Sequence, residues 1–237
     1  MNFQKALDHH YPNALFEEKF VTESFALLEG YGFTGENTLA CVSVCRDEIT
    51  RSLVDAIQSQ WGEAFNFSSL AGMIFAGKTG MGAALAHAPI SSDDGRERYI
   101  FFVMPHIGID EEGAIGKCTR HGRPGKSTAC GALVAFQGEL QSGEVDLAFD
   151  PADPEQSMLK SRLSTMLEGN ESDLINLTNR THDAIVDDLE HLIKLSIDTN
   201  KADYAVFSGI QIHGPEGKQL IFPNKKYAVV DGELKTF

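Results

Sequence analysis

Thr38-Leu39-Ala40-Cys41-Val42-Ser43-Val44 runs straight into Cys45-Arg46-Asp47-Glu48-Ile49-Thr50-Arg51, and the reading of this stretch decides the fold. Residues 38–44 are apolar and of the kind found in a buried strand. Residues 48–61 then place Ile49, Leu53 and Ile57 one helical turn apart, and Gly62 follows as a stop. A strand that hands over to a helix across a few polar residues is the unit of an α/β sheet.

The same alternation recurs on either side. Upstream, residues 13–28 carry Leu15, Phe16, Phe20, Phe25, Leu27 and Leu28 at roughly helical spacing, ending at Gly30-Tyr31-Gly32. Downstream, 73–76 reads as a short buried strand, 80–88 as a helix and 99–104 as a strongly β-prone strand. Residues 110–126 are polar and glycine-rich, a loop long enough to expect a function of it. Ser127 suits an N-cap for a helix through residue 140, and a second helix is expected over 153–167. The polar stretch 167–181 reads as mobile, and 182–197 as helical. Strands are expected over 204–212, 219–222 and 227–230, the last two as a hairpin around Pro223-Asn224. The pattern predicts one α/β domain with a central mixed, largely parallel sheet flanked by helices. Its N-terminal helix spans about 13–28, its candidate metal-site core 38–140 and its C-terminal helices and strands 153–237.

With 237 residues, 42% of them hydrophobic, the chain can bury one substantial core. Twenty Lys and Arg face 34 Asp and Glu, a formal charge of −14 that repels a phosphate backbone, so nucleic acid is not an expected partner. No apolar run reaches the roughly 20 residues that span a bilayer, and Met1-Asn2-Phe3-Gln4-Lys5 lacks the apolar core of a secretory signal, so no membrane is expected and a cytoplasmic location is. In that reducing compartment four cysteines read as thiols or metal ligands rather than as disulfides.

Three candidate ligands stand at element junctions: Cys45, His106 in Met104-Pro105-His106, and Cys130 in Ser127-Thr128-Ala129-Cys130-Gly131. Carboxyl ends of parallel strands are where α/β sheets build sites, so ligands there can converge. Cys130, expected in the first turn of its helix, would have its thiolate favoured by the helix dipole. Two thiolates and a neutral imidazole make a zinc site with its fourth position open for water, which ionises near neutral pH. Singly, each residue reads more readily as a buried small hydrophobe or a hydrogen-bonded loop histidine, and it is their joint placement that points to a metal. Cys118-x-x-His121 also has ligand spacing, whereas Cys41 lies about 13 Å along an extended strand from Cys45 and reads as core. His87 and His121 are candidate outer partners or proton shuttles. Lys78-Thr79 lacks the G-x-x-x-x-G-K-[ST] order of a phosphate loop, and the H-x-E and P-C-x-x-C deaminase signature is absent. Asp47 and Arg51, four apart, would share a helix face as an ion pair, leaving Asp47 ionised and oriented beside the metal.

Cys45-x-Asp47-x-x-x-Arg51 followed by His106 and Cys130 resembles the limiting-CO2-inducible protein B family of carbonic anhydrases, over about residues 39–136. The family is similar to the β-class carbonic anhydrases, with their Cys-x-Asp-x-Arg motif stretched by two residues. The resemblance implies a β-carbonic-anhydrase-like α/β fold and a homodimer. It also implies zinc on Cys45, His106 and Cys130, Asp47 and Arg51 as a catalytic dyad, and reversible hydration of CO2 to bicarbonate. Two alternatives remain on the sequence alone: a structural zinc in a non-catalytic subunit, for which a fourth ligand such as Cys118 or His121 would speak, and a zinc hydrolase of another substrate.

Overall fold

In the computed structural model, which describes residues 1–167 and 172–237, the chain opens on a helix that the periodicity did not predict. This is α1 (Phe3–His10), capped by the Asn2 side chain, which accepts from the Lys5 backbone N–H at 3.0 Å. A two-residue strand, β1 (Leu15–Phe16), takes the start of the expected 13–28 helix, and α2 (Glu17–Glu29) takes the rest. β2 (Thr38–Ser43) follows, then a 3-10 turn over Glu48–Thr50, α3 (Arg51–Trp61) and β3 (Ala64–Asn66). Residues 73–76, expected as a strand, join no ladder among the described residues. Hydroxyls occupy the carbonyls there instead, Ser43 Oγ donating to the Gly72 oxygen at 2.9 Å and Ser69 Oγ to that of Met73.

Next come α4 (Gly77–Leu85), β4 (Glu97–Val103), β5 (His106–Gly108), β6 (Lys117–Cys118) and β7 (Ser127–Thr128). Because Ser127 and Thr128 pair with β6, the helix expected from Ser127 starts later, as α5 (Gly131–Ser142). α6 (Pro154–Ser164) is as expected, and α7 (Leu174–Ser196) begins eight residues early, capped by Asp173. Most of the stretch expected to be mobile, 167–181, is therefore helical, while its residues 168–171 lie outside the described ones. β8 (Ala202–His213), β9 (Gln219–Val230) and β10 (Glu233–Thr236) complete the chain.

β9 runs unbroken through Pro223, so no hairpin forms there; Pro223 pairs with Gly209 beside a bulge in β8, where a missing N–H is tolerated. The hairpin lies at Asp231-Gly232, whose φ values of 51° and 78° suit a two-residue turn of the primed type.

The sheet order is β1-β9-β8-β4-β2-β3, with β10 also on β9 and β5 also on β8. β3, β2, β4, β8 and β5 are mutually parallel where they pair, and β9 turns antiparallel, giving the mixed, largely parallel sheet expected. In β4, Tyr99, Phe101 and Val103 face one core, and Ile100 and Phe102 the other. That period of two with both faces apolar is the mark of a strand covered on both sides. Phe20 and Leu28 of α2 and Leu53 and Ile57 of α3 cover one face; residues of α1, α4, α5, α6 and α7 cover the other. Fully burying one such phenylalanine contributes roughly 1.5–3 kcal/mol. At the amino ends of β4 and β8, buried Asp203 accepts from Arg96 Nη2 at 2.7 Å and Nε at 3.0 Å, fixing the register that sets where the carboxyl ends finish.

Candidate metal centre

Cys45 lies two residues beyond β2 and bridges in parallel to Ser69, while its carbonyl accepts from Thr50 Oγ1 at 2.9 Å. His106 is the first residue of β5, placed by pairing with Gln211 of β8. Cys130 occupies the N-cap position of α5. Three junctions from different parts of the chain thus meet: one ligand atom from each of Cys45, His106 and Cys130 lies within 4.8 Å of the others, and the two sulfurs are 3.6 Å apart. All three residues are buried, and His106 Nε2 has no hydrogen-bond partner. A buried polar nitrogen left unpaired costs about 1–3 kcal/mol, so one aimed at two thiols fits a dication that takes its lone pair.

The thiols are not equivalent. A hydrogen bond from Cys130 holds the Cys45 thiol well below the ordinary range against the opposing effect of burial, and His106 helps. Cys130 is pushed up by that same shared bond and by burial, which outweigh the N–H groups of Leu133 and Ala132 at the start of α5. The two sulfurs share one hydrogen bond, so their ionisation is a property of the pair. A coordinated dication would ionise both.

Asp47 stands at the rim, Oδ2 3.9 Å from His106 Nε2, but its partner is not Arg51. Arg120 donates to it through both ends of the guanidinium, Nη1 to Oδ1 at 2.6 Å and Nη2 to Oδ2 at 2.7 Å, and from Nη2 also to the Thr128 carbonyl at 2.8 Å. Burial raises the Asp47 carboxyl, but the hydrogen bonds and charge of Arg120 outweigh it and hold the group at about 2. Arg51, 71% exposed, stands at the wall of the cavity beside Asp47 but binds Asp55 at 2.7 Å instead. The expected dyad fails because residues 48–50 form a 3-10 turn and α3 begins only at Arg51. Asp47 is extended backbone ahead of that turn, accepting from the Ile49 N–H at 3.4 Å, so no helical four-residue spacing relates it to Arg51.

Behind the cluster, His106 Nδ1 is 2.9 Å from His213 Nε2, and His213 Nδ1 is 2.6 Å from Gln219 Oε1. Burial holds His213 down at about 3, so it is neutral. On the open side a cavity of about 400 Å3 reaches Cys45 and Asp47 and is walled by Val44, Val54, Asn66 and Ser68. Glu155 of α6 braces its edge, accepting from Arg46 Nη2 at 2.6 Å and from the Leu70 N–H at 2.9 Å.

The remaining candidates are not brought into the cluster. Cys118 is buried with its sulfur 3.8 Å from the Thr128 carbonyl oxygen and stands outside the three-residue group. His121 is exposed one residue beyond Arg120. His87 packs edge-on against Phe65, 5.6 Å between centroids, beside Thr38 and Leu39 at the amino end of β2, opposite the end that carries Cys45. The sequence reading missed Arg120 and His213. The signals were a basic cluster in a glycine-rich loop, and two polar residues, Gln211 and His213, ending an apolar strand before Gly214-Pro215.

A family profile described as limiting CO2-inducible proteins B/C beta carbonic anhydrases matches residues 14–231. The chain is 35% identical to a crystal structure of limiting CO2-inducible protein LCIB, covering 98% of this chain and 96% of that one with a TM-score of 0.79. It is 26% identical to the crystal structure of PtLCIB4, a homolog of that protein, covering 98% of each chain with a TM-score of 0.83. No curated protein matches the chain.

Proposed function

The chain belongs to the limiting CO2-inducible protein B/C family of β-carbonic anhydrases, and on that premise we propose that it is a zinc-dependent carbonic anhydrase catalysing the reversible hydration of CO2 to bicarbonate. The observation that carries the reading is the buried, unpartnered Nε2 of His106 grouped with two thiols, with an ionised carboxylate 3.9 Å away on the side that opens to the cavity. Held by Cys45, His106 and Cys130, a zinc ion supplies Lewis acidity and brings the pKa of a bound water toward ~7.

The chain's own groups do the rest. Asp47, ionised at any working pH, accepts a hydrogen bond at Oδ2 from the attacking oxygen nucleophile and so turns a lone pair toward the carbon of CO2. Arg120 fixes the carboxylate's plane through two parallel hydrogen bonds and denies it a proton of its own. Val44 and Val54 give the small apolar substrate a wall, and the cavity mouth releases bicarbonate. For the proton, His121 next to Arg120 is the better placed of the two candidate shuttles, since His87 sits at the far end of the sheet. Three protein ligands suit catalysis rather than a closed structural site, and Cys118 turned toward Thr128 supplies no fourth.

A homodimer and a cytoplasmic setting belong to the same proposal. Exposed Leu147, Phe149 and Met158 are apolar surface for a second copy, and four free cysteines suit a reducing compartment. Among the described residues no helix is long and apolar enough to cross a membrane.

The test is stopped-flow CO2 hydration by purified protein with zinc quantified, beside Cys45→Ser. The expected result is about one zinc per chain and hydration above buffer, both lost in the variant. One zinc per chain with no hydration would leave a structural metal and remove the catalytic claim.

A further inference from the structure

His213 and Gln219 lie directly opposite each other in the β8–β9 pairing, at the last residue of one strand and the first of the next. Both ring nitrogens of His213 are engaged, Nε2 by His106 Nδ1 at 2.9 Å and Nδ1 by Gln219 Oε1 at 2.6 Å. His213 is 3% exposed and His106 0%, so water does not substitute for either contact.

The chain of contacts has a direction. An amide oxygen only accepts, so the hydrogen between Gln219 and His213 belongs to His213 Nδ1. A neutral imidazole protonated at Nδ1 has a bare Nε2, which only accepts. The hydrogen between the two rings is therefore on His106 Nδ1, and the bare nitrogen of His106 is Nε2, the atom that faces the thiols without a partner. From these contacts we infer that His213, polarised by Gln219, is a positioning residue that selects the metal-binding tautomer of His106 and locks its ring. The inference rests on the metal reading above for its purpose, but the tautomer itself stands on the hydrogen bonds alone. Because the relay ends on an uncharged amide, it orients the ligand and carries no proton away.

Outer partners of metal-bound histidines typically change metal affinity 10–100-fold when removed. The test compares His213→Leu, which fills the space without accepting, with His213→Gln, whose side-chain oxygen can reach the place of Nε2. A second pair, at a position only partly buried, is Gln219→Leu, which removes the acceptor, and Gln219→Glu, which keeps it. Zinc affinity is read by competition with a chromophoric chelator, and imidazole tautomers by nitrogen-15 NMR of the protein as purified.

The expected spectrum has the His106 proton on Nδ1. Zinc Kd should rise about 10–100-fold in His213→Leu and several-fold in Gln219→Leu, with His213→Gln and Gln219→Glu within about threefold of wild type. A His106 proton on Nε2, wild-type affinity in His213→Leu, or equal losses in His213→Leu and His213→Gln would overturn the inference. If His213→Leu does not fold, equal affinities in the two Gln219 variants would overturn it, and a loss confined to Gln219→Leu would uphold it. If the wild type takes up no zinc, the metal reading falls, and the NMR spectrum decides the tautomer by itself.

Discussion

Replacing Arg120 by alanine separates the observed dyad from the one the sequence suggested. Arg120 makes two hydrogen bonds to Asp47, whose side chain is only 10% exposed, so solvent screens the pair little. Asp47 lies at about 2 against an ordinary 3.8, a difference that corresponds to about 2–3 kcal/mol in favour of the charged, folded state at neutral pH. Removing Arg120 forfeits most of that, since its hydrogen bonds and charge are the main offset to the burial that by itself raises the carboxyl. Activity should fall ~10²-fold in kcat/KM, about 2.7 kcal/mol of transition-state stabilisation, since the carboxylate loses both its orientation and its guaranteed charge. Arg51→Ala breaks an exposed pair, with side chains 71% and 58% accessible, and should change stability by about 0–0.5 kcal/mol and activity far less than Arg120→Ala does.

The pH dependence gives an independent sign. In the wild type the folded pKa of Asp47 is depressed, so its contribution to stability is complete above about pH 4 and is lost as the pH falls through about 2. In Arg120→Ala the folded pKa rises toward the unfolded one, so the stability the group lends at neutral pH, and loses on acidification, shrinks. Urea melts between pH 2 and 7 read the stability, and stopped-flow hydration reads the rate. If Arg51→Ala lost as much activity as Arg120→Ala, or if Arg120→Ala kept the wild-type slope below pH 4, the assignment of Arg120 would be wrong.

Gly72→Ala should damage the metal centre without touching a ligand: Gly72 has φ +81°, and a Cβ there would meet the Met104 carbonyl oxygen at 2.6 Å and the Val44 carbonyl carbon at 3.4 Å. Those atoms lie just before His106 and Cys45, so a loss of about 2–4 kcal/mol in urea melts should come with weaker zinc binding in chelator competition. Asp203→Ala is the complementary case, leaving Arg96 and Arg98 without their buried carboxylate and costing about 3–5 kcal/mol, yet keeping wild-type zinc affinity in the folded fraction because it lies at the other end of β8.

The elements with long periodic stretches were legible in the sequence because burial itself writes the period: β2, β4, β8 and most of α3, α5, α6 and α7 follow the apolar spacing. What escaped was set by partners far away in sequence. α1 has only Phe3, Ala6 and Leu7 to bury, too few to stand out, and β3 and β5 are three-residue strands that exist because a neighbour pairs with them. Asp231-Gly232 was a readable turn signal, overlooked in favour of Pro223-Asn224. The three candidate ligands could be picked out because soft ligands at strand ends are few. The Asp47 partner could not, since a four-residue spacing predicts a pair only if the helix already includes both residues, and here it starts at the second.

That failure has a structural logic. A pair between Arg51 and Asp47 would hold Asp47 from the same short segment and leave Cys130 unconnected to it. Arg120 instead grips Asp47, two residues from Cys45, and the Thr128 carbonyl, two residues before Cys130. One guanidinium thereby ties the two thiol-bearing segments together across the open side. Glu155 joins Arg46 to Leu70 along the same rim, and His213 holds His106 from behind. Each of the three ligands is restrained through a residue drawn from a different part of the chain, so the geometry that admits a metal exists only when β2, β5, β8 and the 117–128 loop are all in place. Zinc binding should for that reason be coupled to folding of the sheet as a whole, stabilising it in proportion to occupancy, rather than to the local order of the Cys45–Arg51 stretch.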